Sequence, residues 1–169
     1  RGCIPSKTYL AMAETLHMAR TAEGMGIEFG APKLNIDKMR GWKNDVLKKL
    51  SGGLDMQCKK YKVDRVQGTG RFEDGKHVSV EHSDGANSHI KFKRCIIATG
   101  SRSIELKGVQ IESPRVLTSR TALELEDIPK TLLVLGGGYI GLELGQVYAT
   151  FGSKVTVVEM LPGLMPGVD

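Results

Sequence analysis

Apolar residues recur along this chain with two different periods, and the change from one to the other lays out its elements. From Ser6 to Arg20 the residues Leu10, Ala13, Leu16 and Ala19 fall on one side of a helix, with Pro5 in a first turn that tolerates its missing N–H. Gly24 to Pro32 interrupts the pattern and predicts a loop. Asn35 or Asp37 then offers the cap of a longer helix reaching about Tyr61, with Met39, Trp42, Val46, Leu50 and Leu54 as its buried side. Gly52-Gly53 lies inside that helix and costs roughly 1 kcal/mol per glycine relative to alanine, which predicts a kink or a close backbone contact. Beyond it the period drops to two. Val63 to Val66 reads as a short strand, and Arg71 to Phe92 as alternating stretches broken at Asp74-Gly75 and Asp84-Gly85. Asp-Gly pairs are strong hairpin signals, so a small antiparallel meander is expected. Cys95-Ile-Ile-Ala98 follows as a buried strand closed by Thr99-Gly100-Ser101, and a polar connector leads to Pro129. The composition changes between Ser101 and Pro114, which places the expected domains at residues 1–108 and 109–169.

The last third of the chain carries the most specific pattern. Thr131 to Leu135 has the length and apolar character of a buried strand, and it ends in Gly136, Gly138 and Gly141, which fit G-x-G-x-x-G. Gly136 permits a tight strand-to-helix turn, Gly138 lets a pyrophosphate approach the backbone, and Gly141 lets the helix lie against the strand. Gly137, Tyr139 and Ile140 fill the turn and the helix start, where unpaired N–H groups and the helix dipole favour phosphate. A second apolar run ends in Glu159, eighteen residues beyond Gly141, where a carboxylate accepts hydrogen bonds from a ribose diol and repels a 2′-phosphate. A glycine-rich turn alone is weak evidence. Strand, glycines, helix, second strand and terminal acid in this order predict a dinucleotide site that favours NAD over NADP.

Composition narrows the remaining choices. The 169 residues are 40% hydrophobic, enough for a buried core, and no run of about 18 apolar residues predicts a membrane-spanning helix. The net charge of +5 is concentrated around Lys43, Lys48, Lys49, Lys59, Lys60 and Lys62. Without interleaved aromatics or a nucleic-acid motif, that stripe reads as a solvated helix face; an acidic protein partner is the weaker alternative. Cys3, Cys58 and Cys95 make neither a paired disulfide framework nor a zinc motif, which favours a reducing compartment. His77, His82 and His89 fall in the alternating region as exposed strand residues, and no metal site is expected.

Cys3-Ile-Pro-Ser-Lys7, Cys95-Ile-Ile-Ala-Thr-Gly-Ser101 and the glycine fingerprint, in that order, resemble the flavoprotein disulfide reductases, most closely the branch that oxidises dihydrolipoamide. Leu50-Ser-Gly-Gly-Leu54, Gly68-Thr-Gly-Arg-Phe72 and Ile128-Pro-Lys130 extend the similarity over essentially the whole chain. The resemblance implies an α/β fold: part of an FAD-binding Rossmann-like domain with a β-meander, then the first β-α-β unit of an NAD-binding Rossmann domain. It implies that Cys3 is the flavin-facing sulfur of a redox disulfide whose other cysteine precedes Arg1, and that Lys7 approaches the flavin and pairs with Glu143. A helix N-terminus would favour negative charge on that sulfur. Gly70, Thr99, Gly100 and Ser101 would contact FAD; Gly136 to Gly141, Glu143 and Glu159 would serve NAD, with Tyr139 covering the nicotinamide side of the flavin. Cys58 and Cys95 match no redox position and read as buried small hydrophobes.

The implied activity is transfer of electrons from a protein-bound dihydrolipoyl group through disulfide and FAD to NAD+, as the E3 component of a 2-oxoacid dehydrogenase complex. Its partners would be a lipoyl domain and a second copy in a homodimer, with no nucleic acid and no membrane. Its place would be the cytoplasm, or the mitochondrial matrix in a eukaryote. The chain is expected to be an internal piece, truncated at both ends and without turnover by itself. Two alternatives stay open: a related mercuric or glutathione reductase, which Glu159 opposes because those prefer NADPH, and a non-catalytic nucleotide-binding fragment.

Overall fold

A computed structural model describes residues 2–104, 108 and 111–165. Helix α1 spans Cys3–Thr21, with Pro5 in its first turn, and a 3-10 turn at Ala22–Met25 closes it on Gly26 in the left-handed region. Helix α2 spans Ile36–Lys60 and is capped by Asn35, whose side-chain oxygen accepts the N–H of Lys38 at 2.9 Å. Strands β1 (Thr69–Phe72), β2 (His77–Glu81) and β3 (Asn87–Lys91) follow, then the short helix α3 (Ser119–Ala122), strand β4 (Thr131–Leu135), helix α4 (Tyr139–Phe151) and strand β5 (Lys154–Val158). The architecture is mixed α/β, as the resemblance implied.

The chain divides into two compact units, Arg1–Leu50 with Ser103–Asp169, and Ser51–Arg102. In the first, Tyr9, Ala13 and Leu16 of α1, Leu123 and Leu125 after α3, and Leu144, Val147, Tyr148 and Phe151 of α4 form one buried cluster. Burial pushes the hydroxyls of Tyr9 and Tyr148 up to about 12. Tyr148 donates to the carbonyl of Ala122 at 2.8 Å, so α4 holds the α3 corner by packing and by one buried bond. β4 and β5 pair in parallel from Thr131↔Lys154 to Leu135↔Val158, with Leu132, Val134, Val155 and Val157 half-buried and the alternate residues exposed.

The second unit contains the expected meander. β2 pairs antiparallel with β1 (Phe72↔Val78) and with β3 (His77↔Lys91). Both Asp-Gly corners work by side-chain capture of backbone donors: Asp74 accepts the N–H groups of Lys76 and His77 at 2.7 and 2.8 Å, and Asp84 accepts that of Ala86 at 3.0 Å. His77 pairs with Asp74 at 2.8 Å and His89 with Glu73 at 2.9 Å.

Several sequence expectations fail in the structure for a common reason. Val63 to Val66 is not a strand, and neither is Cys95 to Ala98, where Ile96 is 91% exposed. A parallel-type apolar run becomes a strand only when neighbours supply its hydrogen bonds, and among the described residues none lies beside these. Cys95 is accordingly exposed and Cys58 half-buried, so neither is the buried hydrophobe expected. On α2, Trp42, Leu50 and Leu54 are exposed, while Met39 and Val46 are only partly covered. The buried residue of that helix is Lys43, expected on the solvated face. Its ammonium donates to the carbonyl of Leu123 at 3.0 Å and pairs with Glu124 at 3.2 Å, 5.8 Å from the Tyr9 ring centre. α2 also runs unbroken through Gly52-Gly53, where added Cβ atoms would meet nothing within 4 Å, so no close backbone contact explains those glycines.

Candidate functional site

The glycine turn takes the shape its sequence predicts. β4 stops at Leu135, and Gly136 turns the chain with φ +106°, a conformation that a Cβ would strain. Gly138 is extended and caps α4 without a side chain, and a Cβ on it would enter open space. Gly141 is the contact glycine: an added Cβ would lie 2.5 Å from the carbonyl oxygen of Gly136 and 2.9 Å from Val134. Among the described residues, no acceptor meets the N–H groups of Gly138, Tyr139, Ile140 or Gly141. Open approach at Gly138 and four unpaired donors at a helix N-terminus fit a pyrophosphate.

Glu159 reaches this turn directly. One carboxylate oxygen accepts the N–H of Gly137 at 2.6 Å and the other that of Leu161 at 2.9 Å. The Leu161 and Gly137 bonds together hold its carboxyl below the usual glutamate range. A carboxylate fixed as an anion beside the glycine turn suits hydroxyls of an unphosphorylated ribose and disfavours a 2′-phosphate. Tyr139 begins α4 and is 67% exposed.

The thiol motif sits on the same unit. Cys3 is the first residue of α1 and is exposed. One turn later Lys7 points its ammonium at Glu143 of α4, and the Ser6 hydroxyl lies 3.3 Å from the other Glu143 oxygen and 3.2 Å from the Cys3 carbonyl. At the far end of the same pair of helices, Arg20 donates to the Thr150 carbonyl at 2.7 Å. Polar contacts thus tie α1 to α4 at both ends of a shared apolar core, and the cysteine motif is held to the fingerprint helix. Lys7 remains largely exposed.

Gly70, Thr99, Gly100 and Ser101 belong to the second unit. Gly70 pairs with Val80 in the meander, and Thr99 to Ser101 are exposed, with Gly100 at φ +79°. Ser6 joins the site although the motifs do not single it out; its place three residues after Cys3 and beside Lys7 is a usable signal. Leu164 and Met165, which close on Gly137, had no signal in the sequence.

No described helix is long and apolar enough to cross a membrane. The chain matches the pyridine nucleotide-disulphide oxidoreductase family over residues 1–169. It is 44% identical to a dihydrolipoyl dehydrogenase of Haloferax volcanii, across 99% of this chain and 36% of that protein. A dihydrolipoyl dehydrogenase of Vibrio cholerae is likewise 44% identical, across 99% of this chain and 35% of its own. The chain therefore spans about a third of the length of these relatives. Among solved structures, LpdA from Mycobacterium tuberculosis superposes with a TM-score of 0.84 at 25% identity, over 99% of this chain and 37% of its own. RclA, a HOCl-induced flavoprotein disulfide reductase from Escherichia coli, superposes at 0.78 with 27% identity, over 99% and 34%. The relatives are oxidoreductases, FAD and NAD are the cofactors of their family, and the fold is that of a flavoprotein disulfide reductase segment. With a cysteine motif and a dinucleotide fingerprint joined through Glu143, and a match running from the first residue to the last, the chain belongs to the pyridine nucleotide-disulphide oxidoreductase family.

Proposed function

We propose that the polypeptide carrying this chain oxidises a protein-bound dihydrolipoyl group and reduces NAD+, as the E3 component of a 2-oxoacid dehydrogenase complex. The observation that carries the reading is the contact of Lys7 and Ser6 with Glu143, which joins the thiol end of the reaction to the nucleotide end within one compact unit. The dithiol loses two electrons and two protons and closes to a disulfide, NAD+ takes up a hydride, and the remaining proton goes to solvent. FAD and NAD+, when bound, supply the electron-accepting chemistry.

The residues of this chain divide the work. Cys3, at the start of α1, is the flavin-side sulfur of a disulfide completed by a cysteine preceding Arg1. Lys7 holds positive charge where electron density arrives, and Glu143 aims it. Gly136, Gly138 and Gly141 shape the turn; the N–H groups of Gly138, Tyr139 and Ile140 bind pyrophosphate; Glu159 takes the ribose diol; Tyr139 shields the nicotinamide side. Gly70, Thr99, Gly100 and Ser101 contact FAD. Residues 1–108 contribute to the FAD-binding domain and residues 109–169 to the NAD-binding one. The partners are a lipoyl domain and a second copy of the chain, in the cytoplasm or the mitochondrial matrix.

Flavin absorbance and NADH-linked lipoamide turnover of the full-length natural protein test this reading. Lys7→Gln is expected to lower turnover by about tenfold or more, as loss of a preorganised charge does, while NADH binding is retained. A colourless protein without lipoamide turnover sinks the proposal, and NADPH-linked reduction of mercuric ion in its place assigns the neighbouring branch.

A further inference from the structure

The residue between the first two fingerprint glycines is Gly137, a position that the nucleotide-binding pattern leaves free. It is buried, and the chain beyond β5 grips it from three directions. Its N–H is taken by Glu159 at 2.6 Å, and its carbonyl accepts the N–H of Met165 at 2.9 Å. Its open Cα side faces Leu164: a Cβ built there would fall 2.6 Å from Leu164 Cδ2 and 3.3 Å from Cβ and Cγ of Glu159. The other oxygen of Glu159 is engaged by the Leu161 N–H. An ionised carboxylate has about four lone-pair sites, so two backbone bonds leave room for a ribose hydroxyl.

We propose that Gly137, Glu159, Leu164 and Met165 form a buckle that sets the glycine turn before a nucleotide arrives, with Glu159 a positioning residue for the turn as well as a partner for the ribose. The inference rests on the nucleotide-binding reading above and deepens it. Gly136, Gly137 and Gly138 are three glycines in a row, the backbone with most freedom to lose and with no side chains to hold it. A turn that is competent only part of the time weakens apparent affinity in proportion. The buckle supplies from β5 and its continuation the order that the turn cannot supply itself. It also ties selectivity to architecture. For a 2′-phosphate to enter, Glu159 would have to swing away and strand the N–H groups of Gly137 and Leu161. Neutralising Glu159 therefore weakens nucleotide binding in general and does not by itself convert the site to NADP.

The test uses the full-length natural protein, titrated with NADH, with NADH carrying a 2′,3′-dideoxy adenosine ribose and with NADPH, and amide exchange at Gly137 without nucleotide. Gly137→Ala sets a methyl against the tip of Leu164 and against Cβ and Cγ of Glu159, and is expected to weaken NADH binding about threefold or more, with Leu164→Ala recovering part of the loss. Glu159→Gln is expected to speed exchange of the Gly137 N–H about tenfold or more with no nucleotide present. It should also weaken binding of the NADH analogue with a 2′,3′-dideoxy adenosine ribose, which lacks both hydroxyls that Glu159 would bind, and leave NADPH no tighter than before. In a protein that binds NADH, unchanged affinity of Gly137→Ala, absence of recovery in the double variant, or undiminished affinity of Glu159→Gln for the dideoxy nucleotide overturns the buckle. Equal exchange at Gly137 in natural and Glu159→Gln protein overturns it whether or not NADH binds. Protection of Gly137 through Glu159 in a protein that binds no NADH keeps the buckle and overturns the nucleotide reading.

Discussion

Two glycines four residues apart on α4 are expected to answer the same added methyl group with opposite signs. At Gly141 the new Cβ would lie 2.5 Å from the Gly136 carbonyl oxygen, whereas ordinary contact starts near 3.4 Å, so helix or strand would have to retreat by about 0.9 Å. The obstacle is backbone, pinned by the positive φ of Gly136, and cannot rotate aside. Overpacking of this kind costs about 1–3 kcal/mol, and the upper end applies to a backbone collision. Against it stands the gain of alanine over glycine in a helix, about 1 kcal/mol. The net is a loss of about 2 kcal/mol. At Gly145 the new Cβ would sit 3.5 Å from Val155 and 3.7 Å from Val134, which is contact without collision. There the same helical gain adds to burial of a methyl, about 0.8 kcal/mol. At about 2–4 °C per kcal/mol for a domain of this size, the two variants should melt roughly 8–15 °C apart on either side of the parent in a circular-dichroism scan. Only Gly141→Ala should also impair NADH binding. If Gly141→Ala melts at or above Gly145→Ala, the claim that close helix-to-strand approach fixes this glycine is wrong.

Lys43→Ala leaves the Leu123 carbonyl without its donor and opens a gap beside Tyr9, so urea denaturation should register a loss of about 2–4 kcal/mol. Glu124→Ala removes only the exposed member of that pair and should cost less than about 1 kcal/mol; equal losses would contradict the assignment. Tyr148→Phe should cost about 1 kcal/mol, because the Ala122 carbonyl loses its hydroxyl donor while the ring packing stays; no change in urea midpoint would count against that bond. Glu159 governs an acid limb of stability. Its folded carboxyl is held below the ordinary value of 4.5, so its contribution is complete above that value and drains as the pH falls through the lowered one. Glu159→Gln should flatten that limb, and urea midpoints that fall equally with pH in both proteins would refute the linkage.

The meander and the β4-α4-β5 unit were legible in the sequence because each is specified locally. Asp74-Gly75 and Asp84-Gly85 carry their own turn chemistry, and Gly136, Gly138 and Gly141 meet steric demands set within a few residues of themselves. The helix starts at Pro5 and Asn35 were legible for the same reason. What failed depends on neighbours distant in sequence. Cys95 to Ala98 has the composition of a strand, but a strand needs partners; Trp42 has the periodicity of a core residue, but burial needs a facing surface. Lys43 reverses the same argument, since its charge predicted solvent while an inward carbonyl, a carboxylate and an aromatic face made burial tolerable. The site divides in the same way. Sequence alone determined that a cysteine motif and a dinucleotide turn are present, because their residues are contiguous. The Lys7–Glu143 pair was implied by the resemblance and is present, whereas only tertiary structure decided that Ser6 joins it and that Glu159, Leu164 and Met165 close on Gly137. Those contacts join chain segments separated by about 20 to 137 residues, whose meeting is set by how helices and strands pack and not by any local preference.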